Sequence, residues 1–140
     1  MQLVLTSVVV LAVDQAVKLL VRSGRFASVR LGPFGSLRMV AGRLWWSRSA
    51  VHASKALLLW AVAAGTLSVA AAALPTSHVF VGLLLGGSLS NVIESSLRGS
   101  VTDFVCLRFW PAFNVADVAL TAGALGIGFE LLRTVGVVAT

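Results

Sequence analysis

Four apolar runs, each about as long as a bilayer is thick, limit the fold of this 140-residue chain more than any other feature. A helix rises 1.5 Å per residue and needs about 20 residues to cross a hydrocarbon core of roughly 30 Å. The runs cover about residues 2–21, 51–74, 78–97 and 115–138. With 58% hydrophobic and 11% charged residues, and a mean hydropathy of +0.96, little polar surface is available for a water-facing shell. Soluble domains carry about 25% charged residues. The expected fold class is an all-α membrane protein with four transmembrane helices, built as a single integral membrane domain over 1–140.

The connections refine this expectation. The stretch "LPTSH" between the second and third runs is short, which predicts an antiparallel hairpin. The first connection, about 22–50, is long and mixes arginines with Gly, Pro, Phe and the pair Trp45-Trp46. Such a mixture suits the headgroup level, where Trp is enriched. Within it, "FASVRLGPFGSLRMV" predicts short extended pairs, so a small extramembrane segment able to hold β-structure is expected between helices one and two. With four spans, the first and third connections share one side of the membrane. No cleavable signal peptide is expected, because "MQLVLTSVVV" lacks a basic start and no small-residue cleavage site precedes Asp14 and Lys18.

The net charge is +6, and six arginines lie between residues 22 and 48. In a soluble chain that bias would suggest nucleic acid. Beside apolar helices the expected partner is membrane phospholipid with anionic headgroups, and no nucleic acid. Cys106 is the single cysteine and excludes an internal disulfide. Small residues mark packing faces: Gly82 and Gly86 with GxxxG spacing, continued by Gly87, Ser88 and Ser90, and then Gly123, Gly126 and Gly128. No strand is expected before "GALGIG", which sets aside a nucleotide-loop reading.

The chain has only five acidic residues. An ionisable group inside a span costs at least about 2.5–3.5 kcal/mol, so each requires a reason. Glu130 has Arg133 at i+3, a helical ion pair. Asp14 and Lys18, in "DQAVK", form an i,i+4 pair that is either a structural clasp or part of a site. Asn91 and Glu94, in "SNVIESSLR", share a helix face, and Arg98 at i+4 is expected to neutralise Glu94. Asp103 and Asp117 have no basic residue at helical spacing.

Two readings of Asp103 and Asp117 stand side by side. In one, Asp103 is an interfacial loop acid and Asp117 is favoured by the N-terminus of the fourth helix. In the other they converge, and two nearby carboxylates share a proton because both cannot ionise easily. That arrangement performs aspartic-protease chemistry, one carboxylate accepting a proton from water while the other donates to the scissile carbonyl. His52 and His78 each lie near a span end without a second ligand nearby, so no metal or other cofactor is expected.

At these residues the chain resembles the lipoprotein signal peptidases (signal peptidase II), four-helix intramembrane aspartic proteases of bacteria. The D-Q-x-x-K motif is met by Asp14, Gln15 and Lys18. The third-helix motif, a small-residue run followed by N-x-x-D-R and G-x-V-x-D-F, is largely met by "GGSLSNVIESSLRGSVTDF", with Gly86, Gly87, Asn91, Gly99, Val101, Asp103 and Phe104. The last motif, F-N-x-A-D, is complete in Phe113, Asn114, Ala116 and Asp117.

The resemblance implies that Asp103 and Asp117 are the catalytic pair, and that Asp14, Lys18, Asn91, Glu94, Arg98 and Asn114 orient it or contact substrate. It implies cleavage of signal peptides from diacylglyceryl-modified prolipoproteins, inhibition by globomycin-type cyclic peptides, and a bacterial inner-membrane location with the active site on the outer face. Three departures accompany it. Glu94-Ser95 stands where Asp-Arg is expected, with Arg98 one turn later as the substitute. "VAGRLWW" occupies the place of N-x-G-A-A-F, so Val40 replaces the asparagine. The arginine-rich first connection also runs against the positive-inside rule for an outer-face loop. Two alternatives remain: a catalytically weak homologue that binds lipidated peptides, and a small membrane transport or assembly subunit.

Overall fold

The computed structural model describes residues 1–24, 28–42, 50–73 and 77–136. Its long elements are α1 (Gln2–Arg22), α2 (Ala50–Ala73), α3 (His78–Arg98) and α4 (Val115–Thr134). Three short strands accompany them: β1 (Val29–Arg30), β2 (Gly35–Gly42) and β3 (Val101–Leu107). Among the described residues, α1, α3 and α4 are long and apolar enough to cross a membrane, while α2 contributes the apolar run Leu57–Val69. Trp45, Trp46 and residues 74–76 of "LPTSH" lie outside the described residues.

Helix α3 is the centre of the bundle, packed against α1 and α4 most extensively and against α2 beside them. Its small residues are what permit this. A methyl group at Gly86 would lie 2.6 Å from the Ser7 carbonyl oxygen of α1, and one at Gly123 of α4 would lie 2.7 Å from the Phe80 carbonyl oxygen of α3. Both are inside van der Waals contact, so only glycine allows the backbones this close. Gly128, expected on the same packing face, has open space around its α-carbon and takes no part in the contact. Four residues beyond Gly123 the face would continue at Ile127, which does pack against the Val81–Leu85 core.

The distribution of polarity is inverted relative to a soluble protein. The largest fully buried side chains are Lys18, Asn114, Asp14 and Ser90. Large apolar side chains instead cover the outside, among them Leu5 on α1, Leu58 and Val69 on α2, and Leu125 on α4. In water this surface would be a penalty of about 25 cal/mol per Å². Hydrocarbon removes that penalty, which is the physical reason for the inversion.

The predicted extended pairs after α1 form a hairpin, with Val29 opposite Leu37 and Arg30 opposite Ser36. The sheet extends further than the sequence reading anticipated. Residues 101–107, expected as a plain connection, form β3 and pair antiparallel with β2, giving the order β1-β2-β3. β-branched and aromatic residues in "VTDFVCL" favour a strand. Their alternation hides Thr102 and Phe104 on one face and leaves Asp103 on the other. Helix α3 ends at Gly99, whose left-handed φ of 72° lets its N–H return to the Ser95 carbonyl at 2.8 Å before β3 begins.

Candidate active site

The site is assembled where α1, α3, β3 and the start of α4 meet. Asp14 and Lys18 lie one turn apart on α1, and both are fully buried. An ammonium has three protons and no acceptor. Lys18 Nζ uses them on Asp14 Oδ2 at 2.7 Å, Glu94 Oε2 at 3.0 Å and Asn91 Oδ1 at 2.8 Å. The buried charge is thus paired with two carboxylates rather than one.

That third contact sets the orientation of Asn91. Because Lys18 can only donate, Asn91 must present its oxygen there, and its amide nitrogen then donates to Asp117 Oδ1 at 3.0 Å. Asp14 reaches the same helix by another route. Its Oδ1 accepts from the Ala116 backbone N–H at 2.8 Å, satisfying a donor that the first turn of α4 leaves unpaired. Its Oδ2 also accepts from Ser90 at 2.6 Å, and Ser90 in turn accepts from Gln15 at 2.7 Å.

Asn114 and Asp117 begin α4 as a reciprocal capping box. The Asp117 N–H donates to Asn114 Oδ1 at 3.0 Å, and the Asn114 N–H donates to Asp117 Oδ2 at 3.1 Å. The reading of Asp117 as an acid at a helix N-terminus is therefore correct in its local structure. It does not exclude the second reading. The Asn114 side-chain nitrogen, left free by the cap, donates to Asp103 Oδ1 at 2.9 Å. A single buried asparagine bridges the two aspartates, and the structure brings Asp103 and Asp117 together around it.

Strand β3 reaches this position because the chain beyond it folds back. Phe113 and Val105 exchange backbone hydrogen bonds at 3.0 and 3.1 Å, which places Asn114 beside Asp103. Across the sheet, the residue opposite Asp103 is Val40. Burial pushes the Asp103 carboxyl above its ordinary range, and the neighbouring Asp117 charge adds to the rise, against the Asn114 hydrogen bond. Beside Asp117 opens a groove of about 360 Å³ between Trp110 and Phe113 of the loop and Val118, Thr121, Ala122 and Leu125 of α4. Apart from Asp117 and Thr121, its walls are apolar.

Of the expected site residues, Asp14, Lys18, Asn91, Glu94, Asn114, Asp103 and Asp117 form one connected network. Arg98 does not join it. The guanidinium expected from Arg98 comes instead from Arg22, which pairs with Glu94 directly. Glu94 is turned inward with its side chain 1% exposed, whereas Arg98 is exposed in the last turn of α3. Helical spacing placed Arg98 correctly on the helix and wrongly in space. The missed partner had a signal of its own: Asp14, Lys18 and Arg22 repeat at i, i+4 and i+8 on one face of α1. Two hydroxyl residues are also missed as polar partners: Thr102 has no sequence mark beyond adjacency to Asp103, and Ser90 is marked only as a small packing residue. The Glu130–Arg133 pair is present at 3.6 Å.

Comparison with known proteins adds the family. The profile of the Signal peptidase (SPase) II family matches residues 6–133. The chain belongs to the signal peptidase II family. A lipoprotein signal peptidase of Paraburkholderia phymatum is 35% identical over 108 residues, covering 73% of this chain and 61% of that protein. One from Moorella thermoacetica is 40% identical over 62 residues, 44% of this chain and 41% of that protein. The matches thus span less than two thirds of the length of these curated relatives.

Two solved bacterial membrane enzymes, determined by the in meso method at 1.9 and 2.3 Å resolution, share the fold. Their TM-scores are 0.79 and 0.77, at 24% and 25% identity, each over 94% of this chain and over 92% and 87% of theirs. With its apolar helices, the chain is a multi-pass membrane protein of the signal peptidase II family.

Proposed function

We propose that this chain is an aspartic-type prolipoprotein signal peptidase, an intramembrane endopeptidase that removes signal peptides from diacylglyceryl-modified prolipoproteins. The observation that carries the reading is the Asn114 bridge, which holds two carboxylates of unequal environment beside an apolar groove. Asp117 accepts an N–H on each oxygen, from Asn91 and from Asn114. Asp103 accepts on one oxygen and is raised by burial, which favours a retained proton.

In the mechanism we propose, Asp117 takes a proton from water as the water oxygen bonds to the scissile carbonyl carbon, while Asp103 gives its proton to the carbonyl oxygen. In the resulting tetrahedral species Asp117 returns its proton to the leaving nitrogen. The C–N bond then breaks, and a hydroxyl proton of the new carboxylic acid restores Asp103. Lys18, Asn91, Asn114, Asp14 and Glu94 hold the geometry.

The apolar groove on α4 suits the hydrophobic part of a signal peptide arriving from the bilayer. We further propose that α2 completes four transmembrane spans and that the enzyme resides in the bacterial inner membrane with its site on the outer face. Membrane phospholipid surrounds it, and globomycin-type peptides are its expected inhibitors.

The test is reconstitution with a diacylglyceryl-modified prolipoprotein, comparing wild type with Asp103→Asn and Asp117→Asn. Cleavage by wild type and a loss of 10³-fold or more (roughly, for removing an acid or base of a coupled pair) in both variants supports the peptidase. One observation favours a second reading, a slow homologue that mainly binds lipidated peptides: Val40, where the resemblance expects asparagine, lies opposite Asp103. Globomycin-type binding without cleavage would select it, and neither binding nor cleavage would point to the transport or assembly subunit.

A further inference from the structure

Arg22 belongs to none of the motifs by which this chain resembles its family, yet it sits against the strand that carries Asp103. Its side chain is 15% exposed and ion-pairs with Glu94 Oε1. The same nitrogen lies 3.3 Å from Thr102 Oγ1. Glu94 in turn grips Thr102 twice. Its Oε1 accepts the Thr102 hydroxyl at 2.6 Å, and its Oε2 accepts the Thr102 backbone N–H at 3.1 Å. Each carboxylate oxygen therefore has one donor from Thr102 and one cation behind it, Arg22 at Oε1 and Lys18 at Oε2.

The next residue along β3 is Asp103. Residue 95, where an arginine would follow the acid of the motif, is Ser95, whose hydroxyl turns back to the Val92 carbonyl at 3.0 Å. The guanidinium beside Glu94 is supplied from another helix.

We infer that Arg22 is a positioning residue for the carboxylate pair, clamping Thr102 through Glu94 so that β3 presents Asp103 to Asn114 and Asp117. Lys18 keeps its own contact with Glu94 Oε2, so loss of Arg22 leaves the α1–α3 contact in place while releasing the hold on the Thr102 side of the site. A carboxylate held by charge-assisted bonds on both oxygens cannot swing, and neither can the strand residue it grips. Displacement of a reacting group by about 1 Å can cost about 100-fold in rate.

The inference rests on the peptidase reading, so its test has one arm with substrate and one without. In reconstituted enzyme, Arg22→Ala is expected to lower kcat by between about tenfold and 100-fold while KM stays within about twofold. Thr102→Val should act in the same way, Thr102→Ser should restore most of the loss, and Arg22→Ala/Thr102→Val should be no worse than the slower single variant. Without substrate, hydrogen exchange at the Thr102 amide should quicken by tenfold or more, roughly, in Arg22→Ala, while exchange in the α4 amides is unchanged.

If wild type fails to cleave, the function reading falls and the exchange arm alone decides the role of Arg22. Unchanged kcat in Arg22→Ala, or unchanged exchange at Thr102, overturns the inference. So does a rate loss shared by KM and accompanied by general loss of α4 protection, which would mark a merely structural residue. If Arg22→Ala does not accumulate, the Thr102→Val and Thr102→Ser pair carries the same comparison.

Discussion

Lys18 shows how a single residue can be affordable inside a membrane protein. A lone ammonium in a span is expensive, but this one meets Asp14, Glu94 and Asn91 with all three of its protons. Lys18→Met would leave two buried carboxylates facing each other without the shared cation. A destabilisation of about 3–5 kcal/mol is expected, read as thermal or denaturant unfolding in detergent. Asp103 gives the second residue-level prediction. Its carboxyl lies above the ordinary 3.8 because burial and the Asp117 charge disfavour ionisation. The folded state then binds this proton more tightly than the unfolded state. Its contribution to stability is complete below the ordinary value and is lost as pH rises through the raised one. Wild type should therefore lose stability relative to Asp103→Asn on going from pH 4 to pH 7, in a paired melting series. A constant difference would refute the sign.

Among the elements, α4 owes its start both to its own N-cap and to a residue far back in the chain. Asp14 of α1 takes the Ala116 N–H, Asn114 takes the Asp117 N–H, and the two contacts together make the helix start also the floor of the site. Close packing of α3 on its neighbours fixes the rest. Gly123→Ala should destabilise by about 1–3 kcal/mol through overpacking against Phe80, whereas Gly128→Ala, with open space around it, should change stability by less than about 0.5 kcal/mol. Unfolding midpoints of the two variants test this contrast directly. The sheet supplies the third prediction at this scale. Val40 is the residue opposite Asp103, so Val40→Asn would offer an amide N–H to that carboxyl. Hydrogen bonding to the charged form favours it, and under the mechanism proposed above the limb of the pH–rate profile assigned to Asp103 should move to lower pH. An unmoved profile would separate Val40 from the site.

For the whole molecule, the inverted polarity and the single cysteine combine into a test of orientation. Cys106 lies on β3, three residues past Asp103, and is partly accessible. With the site on the outer face, an impermeant maleimide should label it in intact cells, and labelling only after permeabilisation would place the sheet on the cytoplasmic side. This matters because the arginines before residue 48 argue for the opposite side by charge count alone.

What the residues determined by themselves follows from short-range physics. Hydrophobic length specified the membrane class and three of the helices seen to be long enough to span. Helical spacing specified the Asp14–Lys18 and Glu130–Arg133 pairs, and the short extended pairs in "FASVRLGPFGSLRMV" pointed to the hairpin after α1. Ordered motifs selected Asp103 and Asp117 for attention. Only the tertiary structure decided the rest, because the deciding contacts join residues far apart in the chain. Arg22 rather than Arg98 meets Glu94 across 72 positions. Strand β3 exists through pairing with β2, and Val40 faces Asp103 through that register alone. A period along the chain reports which residues share a face of one element. Which face of another element it meets is settled by packing, and packing is where this carboxylate pair acquires its bridge, its clamp and its unequal surroundings.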